Sequence, residues 1–131
     1  MAFVRAIVRG FERYGADPGQ ALRAAQIAPA QLEDPRARIT ARQMEVVSGV
    51  AMQQLDDEAL GWFSRRLPWG SYGMLCRASI TSPTLGVALK RWCRHHRLLT
   101  DDVALELSQS GSVATLAIAE RRRFGELREF C

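Results

Sequence analysis

A chain of 131 residues with a formal charge of +4, 47% hydrophobic and 24% charged residues, has the size and make-up of one soluble globular domain around a single core. That composition excludes a disordered or collagen-like chain, and no uncharged apolar run approaches the ~18 residues a membrane span needs. The opening Met1-Ala2-Phe3-Val4-Arg5 has neither the apolar region nor the cleavage site of a secretory signal.

Phe3, Val4, Ile7, Val8, Phe11 and Tyr14 recur at the 3.6-residue period and predict a first helix, which Gly15 ends. Asp17-Pro18 reads as the N-cap and first residue of a short helix, with Ala21, Leu22, Ala25 and Ile27 as its apolar face. Pro29 and Pro35 punctuate a connection in which Leu32 anchors one turn. Thr40 is the expected N-cap of a longer helix to Gln54, with Met44, Val47, Val50, Ala51 and Leu55 on one face. A further helix is expected from Asp56. Its first turn holds Asp57 and Glu58, where the dipole favours acids, and Ala59, Leu60, Trp62 and Phe63 are apolar.

Leu67-Pro68-Trp69-Gly70-Ser71-Tyr72-Gly73 breaks that helix as a structured loop, and a short helix follows from Met74 to Ile80. Ser82-Pro83 reads as the clearest helix start of the chain, a capping hydroxyl followed by proline. Leu85, Ala88, Leu89, Trp92, His96 and Leu99 share one face of this helix, while Lys90, Arg91, Arg94 and Arg97 occupy much of the rest. The period then changes to two in Val103–Leu107 and in Ala114–Ile118, with a Gly111-containing turn between Ser108 and Ser112. This predicts an antiparallel β-hairpin. Arg121 to Cys131 turns helical again through Phe124, Leu127 and Phe130. The fold class is α+β: a helix-rich N-terminal part, the hairpin, and a final helix. Residues 1–131 read as one domain. A lone hairpin rarely stands uncovered, so the fold reads as truncated.

Seventeen of the eighteen basic residues are arginine, Lys90 being the exception. Arginine suits bidentate anion recognition, but an Ala- and Arg-rich, Lys-poor chain fits a coding bias better. The cations are scattered apart from Arg91–Arg97 and Arg121–Arg123, which favours a solvated surface over a nucleic-acid groove. The three cysteines, Cys76, Cys93 and Cys131, form no CxxC and leave one unpaired, pointing to a reducing cytoplasm and thiols that pack as small apolar groups.

Candidate chemistry is sparse. His95 and His96 point about 100° apart on a helix, whereas metal pairs prefer i, i+4 spacing, so surface-plus-core histidines are favoured over a zinc site. A single axial histidine suffices for haem, yet nothing else here asks for one. Cys76 or Cys93 as a nucleophile needs a base and an oxyanion hole, and buried structural thiols are the favoured reading. Asp56-Asp57 and Asp101-Asp102 sit at element junctions, where carboxylates cap. Neither GxxxxGK[ST] nor GxGxxG occurs. The Asp17–Ala25 and Gln31–Asp34 pair is too short and proline-bounded for a helix-turn-helix. No catalytic residue, metal or cofactor is expected. Trp62, Trp69, Tyr72 and Trp92 either line an apolar ligand cavity or pack as plain core; Trp69 and Tyr72 lie in a Gly-rich loop, which keeps the cavity in play.

From Asp56 onward the chain resembles a known family. Leu60-Gly61, then Gly70-Ser71-Tyr72-Gly73-Met74-Leu75, then Ser79-Ile80-Thr81-Ser82-Pro83-Thr84-Leu85-Gly86-Val87-Ala88-Leu89 are similar to the N-terminal effector domain, of "arabinose-binding domain" type, of a subgroup of AraC-type bacterial transcription regulators. The stretch from Gly15 to Ile39 also fits, so the resemblance covers essentially the whole chain. It implies a non-enzymatic, cytoplasmic, ligand-sensing domain that also has scope to form a homodimer. In such regulators a C-terminal pair of helix-turn-helix units binds DNA; that part is not in this sequence. The alternative is an interaction module without a small ligand. Asn is absent and Gln sparse, which points away from a sugar and toward a partly apolar effector, with a carboxylate that Arg77 or Arg94 would clamp. The candidate ligand-binding set is Trp62, Trp69, Tyr72, Arg77, Trp92, Arg94 and His96.

Overall fold

The computed structural model describes residues 1–125 and Arg128. In chain order the elements are α1 (Ala2–Arg13), α2 (Gly19–Ala24), α3 (Pro29–Glu33), α4 (Ala41–Leu55), α5 (Ser71–Ile80), α6 (Leu85–Leu99), β1 (Val103–Ser110) and β2 (Val113–Glu120). The strands form one antiparallel hairpin, so the chain is α+β and helix-rich. Two compact units are present, Met1–Trp69 with the described residues from Phe124 on, and Gly70–Arg123.

The first unit is built on the predicted stripe of α1. Val4, Ile7 and Phe11 are almost fully buried and meet Leu22, Ile27, Val47, Ala51, Leu55 and Leu60 in one core, whereas Phe3 falls off that stripe and is half exposed. Gly15 takes a left-handed φ of +62°, which ends α1 at no steric cost. The second helix starts a residue later than expected, because Asp17 Oδ1 accepts from the Gly19 amide at 3.0 Å. Thr40 caps α4 as expected and does so reciprocally: the Gln43 amide donates to Thr40 Oγ1 at 3.1 Å, and the Thr40 amide donates to Gln43 Oε1 at 3.0 Å. Gln43 Nε2 also donates to the Ala25 carbonyl at 3.2 Å, which fastens the start of α4 to the end of α2.

The helix expected from Asp56 does not form. Asp56 instead closes α4 with a left-handed φ of +46°, and Leu60 and Gly61 also have positive φ, so the segment is a series of turns. The fully buried Asp57 organises it. Its Oδ1 accepts from the amides of Ala59 at 2.9 Å and Leu67 at 2.8 Å. Its Oδ2 accepts from the Gly61 amide at 2.7 Å and the Tyr14 hydroxyl at 2.8 Å. A carboxylate in the first turn satisfies amides wherever they point, and here they point inward from a loop rather than along a helix axis. Ala59, Leu60 and Phe63 are still buried, so the apolar reading of these positions holds even though their secondary structure differs. Arg13 clasps the same loop by donating to the Gly61 carbonyl and to the Phe63 carbonyl at 2.9 Å.

In the second unit α5 begins three residues earlier than expected. Gly70, at φ +95°, turns the chain so that Ser71, Tyr72 and Gly73 are already helical. The start of α6 also shifts: Thr84 is the cap, its Oγ1 accepting from the Val87 amide at 3.3 Å, and Ser82 Oγ takes a hydrogen bond from Arg91 at 3.2 Å instead. β1 and β2 pair in the register Leu105↔Ile118 and Leu107↔Leu116, which puts these four residues on one face. A two-residue turn at Gly111-Ser112 joins them. Beyond β2 the amides of Arg121 and Arg122 donate to the Asp102 carbonyl at 2.8 and 3.2 Å. Arg121–Arg123 is not helical, so the expected closing helix does not begin there. Its remaining stretch rests on residues 126, 127 and 129–131, which lie outside the described residues.

Candidate functional site

Helices α5 and α6 pack as a hairpin in the second unit. Along α6, Leu85, Ala88, Leu89 and Trp92 follow i, i+3, i+4, i+7 spacing and so share a face. That face forms one wall of a groove of about 440 Å³. Cys76, Ser79 and Ile80 of α5 form the other wall, and Ser82 and Thr84 close one end. Ile80 and Leu85 at the rim are 81% and 74% exposed, so the groove opens to solvent between two aliphatic side chains. The residues read from sequence as one helical face therefore include a cavity wall.

Next to the groove is an aromatic stack. The Tyr72 ring lies 6.1 Å from that of Trp92 at 16°, and 6.1 Å from that of His96 at 35°. Offset stacking of this kind orients flat rings against one another. His96 is buried, and its Nδ1 has no hydrogen-bond partner among the described residues. Burial lowers its pKa from the ordinary 6.5, which keeps the imidazole neutral at pH 7. Ser79 Oγ is the other buried side-chain atom without a hydrogen-bond partner among the described residues.

The residues singled out from sequence divide between the two units. Tyr72, Trp92 and His96 come together as described. Arg77 is exposed on α5 with its guanidinium folded back over Gly73. Arg94 lies on a different face of α6 from the groove, beside Lys90, Cys93 and Arg97, in a hollow of about 330 Å³ against Leu105 and Leu107 of β1. Neither arginine lines the groove. Trp62 and Trp69 belong to the first unit: Trp62 packs partly buried on its core and donates to the Ala6 carbonyl at 3.5 Å, while Trp69 is half exposed. A larger hollow of about 510 Å³ in the first unit is walled largely by Arg5, Arg9, Glu12 and Glu33, charges of both signs that face water.

Sequence reasoning missed the α5 wall. Cys76, Ser79 and Ile80 fall at i, i+3, i+4 inside the expected Met74–Ile80 helix, but no face is assigned to that helix. It also missed Asp57 as a hub, which no local pattern announces. Among the described residues no group of three or more His, Cys, Asp and Glu is arranged to hold a metal, and no helix is long and apolar enough to cross a membrane.

Comparison with protein families gives a match over residues 15–131 to the family described as "Arabinose-binding domain of AraC transcription regulator, N-term". Comparisons with curated proteins and with solved structures give no match.

Proposed function

Because the chain belongs to this family of N-terminal domains of AraC transcription regulators, we propose that it is a ligand-sensing regulatory domain that transmits the binding of a small effector to a separate DNA-binding domain. The observation that carries the reading is the α5–α6 groove with the Tyr72–Trp92–His96 stack beside it. A concave apolar site with few polar groups is the usual form of a small-molecule pocket. Binding there biases α5 against α6, and such a bias is what a linked domain reads as a change in the balance of two states. The sugar in the family's description does not carry over to this groove, whose walls are mostly hydrocarbon. The domain is read as cytoplasmic and non-enzymatic, without metal or cofactor, and DNA contact is assigned to the separate domain.

Thermal unfolding of the 131-residue chain against a metabolite panel tests the reading. A true effector present at a hundredfold excess over its Kd adds about 2.7 kcal/mol and raises the midpoint. A panel without any stabilising compound, together with an unresponsive promoter reporter carrying this chain, overturns it.

A second reading, a homodimerisation module, is favoured by one observation. Leu116 and Ile118, on one face of β2, are 45% and 71% exposed, an apolar pair of the kind found at interfaces. Sedimentation of the wild-type chain and of Ile118→Lys separates the two: a dimer that the lysine dissociates supports the module, and a monomer in both excludes it.

A further inference from the structure

We propose that the α5–α6 groove takes an uncharged, largely apolar small molecule whose one polar group hydrogen-bonds to Ser79. This rests on the sensing role above and specifies the class of effector.

The chemistry of the walls comes first. No charged side chain lines the groove; Ile80, Leu85, Ala88, Leu89 and Trp92 are among its lining residues. A carboxylate or ammonium entering it loses hydration and meets no opposite charge, whereas a neutral molecule loses little. Arg77 and Arg94, the arginines that sequence reasoning offered as carboxylate clamps, lie elsewhere, so the carboxylate has no partner here.

The hydroxyls narrow the class further. Of the three in the lining, two already accept a hydrogen bond from the protein. Thr84 Oγ1 accepts from the Val87 amide as the cap of α6, and Ser82 Oγ accepts from Arg91. Ser79 is 7% exposed, lines the groove from α5, and its buried Oγ has no partner among the described residues. A helical serine ordinarily bonds back to the carbonyl one turn earlier; this one does not. Unsatisfied buried hydroxyls are uncommon, because they carry the full cost of desolvation. A ligand hydroxyl or carbonyl docked on Ser79 removes that cost, and Ser79 is the one lining hydroxyl that is both buried and unpartnered among the described residues. A sugar, with a hydroxyl on nearly every carbon, would leave most of them against hydrocarbon. The volume of about 440 Å³ falls within the ~300–1,000 Å³ typical of small-ligand sites. The matching ligand is a medium-sized aliphatic or aromatic molecule with one alcohol or carbonyl group.

The experiment uses Trp92 as reporter. The chain has three tryptophans, so Trp62→Phe with Trp69→Phe leaves Trp92 alone on the groove wall. Its fluorescence is titrated with 1-octanol, octanoate and octylammonium at pH 7.5. Octanol is expected to bind at least tenfold more tightly than either ion. Ser79→Ala should weaken octanol about three- to tenfold, the worth of one hydrogen bond, while leaving the ligand-free chain as stable or more so. A serine of purely structural use would give the opposite stability change. Thermal shift on the chain with all three tryptophans must give the same ranking, which guards against a folding defect in the reporter.

The proposal is overturned by octanoate or octylammonium matching octanol, by Ser79→Ala binding octanol undiminished, or by silence of Trp92 toward all three probes. Silence alongside a promoter reporter that answers a metabolite removes this groove and leaves the sensing role. Octanol binding with a reporter deaf to every metabolite does the reverse.

Discussion

The Tyr14 hydroxyl donates to Asp57 Oδ2 at 2.8 Å, joining the end of α1 to a turn 43 positions further along the chain. The Arg66 guanidinium sits 4.2 Å from the centre of the same Tyr14 ring, a cation–π contact. The tyrosine thus has its hydroxyl on an acid and its face under a base. Burial first, and then the bond to Asp57, raise the Tyr14 pKa above its ordinary 10.0, with Arg66 and Arg13 pulling the other way.

Asp57→Ala is predicted to destabilise the first unit by about 3–5 kcal/mol, because it strips an acceptor from three inward-pointing amides and one hydroxyl together. Asp57→Asn keeps the shape and part of the acceptor set, so its loss should be smaller. Urea unfolding measures both. A loss under about 1 kcal/mol for the alanine variant would show that Asp57 does not organise the turns.

Two glycine-to-alanine changes should move stability in opposite directions. A Cβ at Gly10 would lie 2.3 Å from the Leu60 carbonyl oxygen, an overlap with backbone that side-chain rotation does not relieve. A cost of about 1–3 kcal/mol or more is expected. Gly49, inside α4, has nothing within 4 Å of its added Cβ, and alanine there should gain about 0.4–1 kcal/mol. Equal effects at the two sites would contradict the close approach of α1 to the Leu60 turn.

His96 gives a pH dependence. Its pKa in the folded chain is lowered from 6.5 by burial, so the unfolded chain binds the proton more readily. The stabilising contribution is complete above pH 6.5 and is lost as the pH falls from there through the lower folded value. His96→Phe should flatten stability against pH in that window. An unchanged slope in the variant would assign the dependence to other groups.

Thr40→Ala removes the hydroxyl end of the reciprocal cap with Gln43 and should cost about 1 kcal/mol. Thermal unfolding measures it. A neutral outcome would mean the Gln43 side chain alone holds the start of α4.

The sequence was most informative where one element carries its own signal. The α1 stripe, the Thr40 cap and the alternation of β1 and β2 are local patterns, and each recurs in the fold. The Asp56–Phe63 segment defeated the same logic. Its acids and apolar residues match a helical first turn, but the Asp57 carboxylate is also bound across the loop by Leu67 and from α1 by Tyr14, and three positive φ values at Asp56, Leu60 and Gly61 leave no local mark except one glycine. The start of α6 was ambiguous for a milder reason: Ser82 and Thr84 are both capping residues, and Arg91 decides between them by occupying Ser82. For the candidate site, the Trp92 side was legible as a helical face. The Ser79 side was less legible, because a serine and a cysteine on a short helix do not announce which face meets a neighbour. The candidate residues then fell into two units, which no spacing rule foretells.

The clasp between Tyr14 and Asp57 also has a consequence for synthesis. Helix α1 leaves the ribosome before its partners, with Val4, Ile7 and Phe11 uncovered, and the loop that secures it is complete only when Leu67 has been made. At about 5–20 residues per second that interval lasts about 3–10 s. Over those seconds the nascent chain displays an amphipathic helix of the kind that holding chaperones grasp. Ribosome-stalled chains should show it directly, with α1 cut readily by protease before Leu67 emerges and protected soon after.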